Sequence, residues 1–114
     1  RRYGKARSDW PMEMIAEIEK DRVAGVIRSK GGDRRTDEGG YLLYMKTLEL
    51  KGMGSGRSVA LSDGRVQVRV DNPYYEPLVA GFLAGFYEAT TSEKAAVSWT
   101  DARDGYTEVD IGKA

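Results

Sequence analysis

Residues 71–88, Asp-Asn-Pro-Tyr-Tyr-Glu-Pro-Leu-Val-Ala-Gly-Phe-Leu-Ala-Gly-Phe-Tyr-Glu, constrain this chain more than any other segment. They read as a turn, a helix start and an apolar helix. Leu78, Phe82 and Phe86 recur at every fourth position with Val79 and Leu83 beside them, so a wide apolar stripe must meet a core or a ligand. Ala80, Gly81, Ala84 and Gly85 keep another stripe small. Glycine within a helix costs about 1 kcal/mol relative to alanine. Two of them on one face predict that another backbone or a flat ligand comes close, and we expect that surface to serve as a helix-mediated homodimer interface.

The rest of the chain is punctuated clearly enough to place elements around this helix. Pro11 suits a helix first turn, with Ser8 or Asp9 as cap, and a first helix is predicted from Pro11 to about Ser29. Its apolar face (Met12, Ile15, Ala16, Val23, Val26, Ile27) is interrupted by Glu19. Lys30 to Gly40, charged and flanked by glycine pairs, reads as an exposed, mobile loop. A second helix runs to Lys51 through Tyr41, Leu42, Met45 and Leu48, with Leu43 and Leu50 widening its apolar arc. Gly52, Gly54 and Gly56 fit a helix end and turn. They do not form a phosphate loop, because a helix closes on them where a nucleotide fingerprint needs one to open.

Two hairpins follow from turn chemistry. Arg57–Leu61 and Arg65–Val70 flank Ser62-Asp63-Gly64, and Ala95–Thr100 and Tyr106–Ile111 flank a second Asp-Gly turn at 104–105. Val66, Val68 and Val70 share a face, as do Val97 and Trp99, and Thr107, Val109 and Ile111. The order helix, helix, hairpin, helix, hairpin predicts an α+β domain in which an antiparallel sheet of two hairpins packs against about three helices. At 114 residues it fits a single domain, and opening on Arg1 it could be a piece of a longer chain.

Composition narrows the chemistry. Lys plus Arg and Asp plus Glu both number 18, so no overall field favours nucleic acid or an anionic membrane. The chain has no histidine and no cysteine, which removes imidazole bases, thiolates and the usual zinc ligands. No metal, cofactor or catalytic residue is therefore expected. Calcium through Asp101, Asp104, Glu108 and Asp110 lacks EF-hand spacing. Ser55 has neither the nucleophile elbow nor a histidine base. With no apolar run near about 18 residues and no signal peptide, a cytoplasmic protein without membrane insertion is the expectation.

Taken together, the glycine-containing helix end at 52–54, the strand into Asp71-Asn72-Pro73, the helix at 80–86 and the hairpin around Asp104-Gly105 resemble the 4-vinyl reductase, or hydrocarbon-binding, domain over about residues 41–111. The same superfamily includes the small TRAPP vesicle-tethering subunits. The resemblance implies a non-enzymatic domain, often dimeric, with an apolar cavity between helices and sheet. Its ligand would be a hydrophobic or aromatic small molecule, sensed through a dimer or a partner domain. The alternative is a TRAPP-like subunit that acts by assembly without a ligand. Many members carry cysteines at positions that align with Glu76, Asp101 and Val109, so nothing here would hold a soft metal. The cavity is expected along Tyr41, Met45, Leu48, Phe82, Phe86 and Trp99, with Tyr44, Tyr74 and Tyr75 nearby; the same side chains could equally fill the core.

Overall fold

The Asp63-Gly64 pair does what its chemistry predicts. Both residues take positive φ, 51° and 74°, and close a tight hairpin between β1 (Ser55–Ser62) and β2 (Arg65–Asp71). In the computed structural model, residues 10–32 and 37–114 are described. The other elements are α1 (Trp10–Ser29), α2 (Glu38–Leu50), α3 (Glu76–Thr91), β3 (Ala95–Trp99) and β4 (Tyr106–Lys113). This is the expected α+β architecture, three helices and a four-stranded antiparallel sheet in the order β1-β2-β4-β3.

Alternation in the strands sorts the sheet into two faces. Val66, Val68, Val70, Val97, Trp99, Thr107, Val109 and Ile111 are all buried against the helices. The other face is polar: Arg65 pairs with Asp110 at 3.1 Å, and the Arg69 guanidinium lies 3.8 Å from the centre of the Tyr106 ring. Sheet polarity is thus set by β-strand periodicity alone.

α3 lies between β3–β4 and α1, and is buried from Pro77 to Thr90 apart from half-buried Leu78 and Phe82. Its entry is held by Glu76, which accepts from the Ala102 amide at 2.9 Å. Its exit is the left-handed Ser92, after which Glu88 accepts from the Ala95 amide at 2.9 Å and fixes the step into β3.

Three boundaries differ from the sequence reading. α1 begins at Trp10, one residue before the predicted start at Pro11; the expected caps Ser8 and Asp9 lie outside the described residues. Of the loop expected over residues 30–40, residues 33–36 lie outside the described residues, and 38–40 belong to α2, because the Asp37 carboxylate accepts from the Gly40 amide at 2.8 Å and starts the helix at Glu38. Gly56 is in β1, where a Cβ would come within 2.6 Å of the Met45 Cβ, so it seats α2 on the sheet.

Candidate functional site

Gly81 and Gly85 do bring a backbone close, and it is the chain's own α1. A Cβ on Gly81 would stand 2.8 Å from the Met12 carbonyl, and one on Gly85 would stand 2.7 Å from the Ala16 carbonyl and 3.0 Å from the Lys20 amide nitrogen. These contacts advance in the same sense along both helices, so α1 and α3 run parallel. Ala80 is wholly buried, and Ala84 faces Met12 and Ala16 across a narrow cleft. The expected interface Ala80, Gly81, Ala84 and Gly85 is therefore corrected: α1 already occupies the small face, leaving no place there for a second copy.

α2 stands farther off and reaches α3 through aromatic rings. Tyr44 stacks on Phe86 with centroids 4.3 Å apart, and Tyr41 and Phe86 form a T-shaped pair with centroids 4.8 Å apart. Beneath these rings a polar knot joins all three helices. The Tyr44 hydroxyl donates to the Glu19 carboxylate and lies 3.0 Å from the Phe82 carbonyl. Arg22 Nε and an Nη donate to the two Glu19 oxygens at 2.7 and 2.8 Å. Glu19, read from sequence as an interruption of the apolar face, sits on that face, 2% exposed and fully partnered.

Burial pushes the Glu19 carboxyl up, but the hydrogen bonds from Arg22 and Tyr44 outweigh it and hold the group below its ordinary value of 4.5. Tyr44, buried and facing that carboxylate, is held well above the usual phenol range, and burial raises Tyr41 as well. The signs follow by linkage. Glu19 stabilises the fold fully above its unfolded pKa, and this is lost as pH falls through 4.5 toward the lower folded value. The tyrosines stabilise fully below the ordinary phenol value of 10, and this is lost as pH rises beyond it. A melting-temperature profile against pH is expected to fall on both sides, with the acid limb flattened in Glu19→Gln.

The residues expected to line one cavity are distributed. Tyr41, Met45, Leu48 and Trp99 are buried core residues. Tyr41 also borders an open cleft of about 760 Å³ at the β1–β2 turn. Phe82 is half-buried with Lys51 5.6 Å from its ring centre, and Tyr74 and Tyr75 are exposed. The aromatic rings span the wide α2–α3 gap, and none of the described clefts gathers the set.

Phe86 alone of them faces an apolar recess. A cleft of about 340 Å³ opens where α1, α2 and α3 meet, lined by Val23, Val26, Ile27, Leu43, Phe86, Gly40, Thr90 and Lys30. Among the described residues Lys30 is its one charged lining residue, whereas the cleft beside β3 carries Glu13, Glu17, Glu88 and Lys94, and that at the β1–β2 turn carries Asp63, Arg65, Glu93 and Lys113. Val26 and Leu43 were visible in the sequence as apolar arc residues but gave no sign that they would be left uncovered. No group of three or more acidic residues among the described residues is placed to hold a metal ion, and no described helix is long and apolar enough to cross a membrane.

No family model matches this chain, and no curated protein matches it in sequence. Solved structures do share its fold. Trafficking protein particle complex subunit 3 from Naegleria fowleri, covalently bound to palmitic acid, superposes with a TM-score of 0.61 at 13% identity, covering 92% of this chain and 78% of its own. The IWP-051-bound H-NOX from Shewanella woodyi in the Fe(II)CO ligation state superposes with a TM-score of 0.54 at 14% identity, over 90% of this chain and 62% of its own. At such identities the likeness is one of architecture, and the chain shares its α+β fold with a TRAPP subunit and an H-NOX domain.

Proposed function

We propose that this chain is a non-enzymatic binding domain that takes a hydrophobic or aromatic small molecule in the three-helix cleft, in the manner of the hydrocarbon-binding domains it resembles. The apolar lining of that cleft carries the reading: Val23, Val26, Ile27, Leu43 and Phe86 surround about 340 Å³, with Lys30 the single charged group among the described lining residues. Small-molecule sites run from about 300 to 1,000 Å³ and are mostly apolar with a few polar anchors. The palmitic acid on the TRAPP-subunit neighbour supports an aliphatic ligand. With no cysteine in the chain, such a ligand would be held without a thioester.

A second reading, assembly without a ligand, is favoured by exposed Met14, Ile18, Leu43 and Leu50 on the outer surfaces of α1 and α2. Thermal denaturation with medium- and long-chain fatty acids and small aromatic hydrocarbons distinguishes the two. A ligand selective for the folded state at about 100 times its Kd adds about 2.7 kcal/mol, a clear rise in melting temperature. Leu43 is exposed at the cleft rim, so Leu43→Glu should leave the free protein's melting temperature nearly unchanged and abolish the ligand-induced rise. If no such compound raises it, or if Leu43→Glu responds as the wild type does, the cleft is not the site.

A further inference from the structure

The open cleft at the β1–β2 turn shares no described lining residue with the three-helix cleft and is built differently. Its apolar lining is Tyr41 and Val66, 1% and 4% exposed, with half-buried Leu61 beside them. α3 contributes Tyr87 and Thr91. At about 760 Å³ the cleft falls within the range of small-molecule sites, about 300 to 1,000 Å³.

Most polar groups around it are already engaged. The Thr91 hydroxyl donates to the Tyr87 carbonyl at 2.7 Å and accepts from the Glu93 amide at 3.1 Å. Lys113 pairs with Glu93 across 3.4 Å, and Arg65 turns to Asp110 on the opposite face of the sheet. The Tyr41 hydroxyl interacts with Thr90. Asp63 stands exposed at the tip of the turn. The Tyr87 hydroxyl is the exception. Its residue is only 4% exposed, yet the hydroxyl makes no hydrogen bond among the described residues. No oxygen or nitrogen of a described side chain is sealed from solvent without a partner, so this hydroxyl opens onto the cleft that its residue lines.

We propose that this cleft binds a small neutral molecule whose apolar body carries one hydrogen-bond acceptor, such as a ketone, ester or amide, with the acceptor on the Tyr87 hydroxyl. The phenol has an uncommitted proton to donate, and Tyr41, Leu61 and Val66 offer apolar surface for the body. The surrounding charges select against ions. Lys113 is offset by Glu93 and Arg65 by Asp110, which leaves only Asp63 without a countercharge. A carboxylate would therefore lose its hydration beside Val66 and Tyr41 without gaining a free cation. An ammonium would be drawn out to Asp63 rather than in to the hydroxyl. The site stands whether or not the three-helix cleft takes a ligand.

Heteronuclear NMR titration with acetophenone, ethylbenzene and benzoate tests it, since the three differ chiefly in the group beside the ring. Acetophenone should shift the Gly64, Val66 and Thr91 amides saturably, and ethylbenzene and benzoate at equal concentrations should shift them much less. Shifts at Gly40 and Leu43 report the three-helix cleft separately. Tyr87→Phe removes one oxygen that has no partner, so the variant should melt no lower than wild type. It should bind acetophenone roughly tenfold more weakly, the loss of one hydrogen bond, with the response to ethylbenzene unaltered. The ketone-to-hydrocarbon preference of the wild type tests the ligand class without any variant. Acetophenone shifts absent from Gly64, Val66 and Thr91, a wild-type preference for ethylbenzene or benzoate, or unchanged acetophenone binding by Tyr87→Phe would overturn the proposal.

Discussion

Gly85→Leu is expected to destabilise the protein by roughly 3 kcal/mol, at the upper end of what overpacking costs, and to do so without changing the sheet. The new side chain meets backbone: the Ala16 carbonyl at 2.7 Å and the Lys20 amide nitrogen at 3.0 Å, with the Glu19 Cβ at 2.8 Å. None of these can turn aside as a flexible side-chain tip could. The only relief is to move α1 away from α3, which would also pull Glu19 from Tyr44. Urea denaturation followed by circular dichroism measures the loss, and Gly25→Leu is the internal control, since the same substitution there enters open space. Equal stability of the two variants would mean that α1 is not tightly seated.

Phe86→Ala should have an effect of similar or greater size, about 3–5 kcal/mol for a buried aromatic truncated to alanine. The ring stacks with Tyr44 and packs T-shaped with Tyr41, and it also walls the three-helix cleft. Truncation merges the vacated volume with that cleft, so part of the cost should be recovered when a small aromatic hydrocarbon is added. Calorimetric melting of the variant with and without such a compound checks both halves. A loss below about 1 kcal/mol would mean that the rings repack around the gap.

The strands were legible because period-two alternation and Asp-Gly turns are local signals. Asp63-Gly64 and the Val66, Val68, Val70 face needed no knowledge of the remaining chain. The glycine pair in α3 was legible in kind, as close approach, but sequence could not say whether the approaching backbone belonged to another molecule or to a helix some 65 residues earlier. Glu19 was misread for the same reason: its partner Tyr44 comes from a different helix, and only the assembled fold shows the carboxylate satisfied. The candidate site was the least legible part. Large apolar residues on inward faces either fill space or enclose it, and the difference here is set by the α2–α3 separation that Tyr41, Tyr44 and Phe86 span. The recess is left where Leu43 and Val26 fall short of one another, a matter of helix placement rather than residue type.

The seating of α1 on the glycines of α3 also bears on how little of this chain could fold alone. Residues 38–113 hold the whole sheet and two helices, and would look like a complete domain if judged by strand pairing. Without α1 they would expose the groove cut for it, with Gly81, Ala84 and Gly85 open to water and the Tyr44 hydroxyl deprived of its carboxylate. A bare apolar groove along a helix that is otherwise buried invites any passing hydrophobic segment. The first helix is thus the cover that makes the remainder of the chain an autonomous body, and truncation or circular permutation that separates it from α3 would yield a fragment prone to associate through that opened surface.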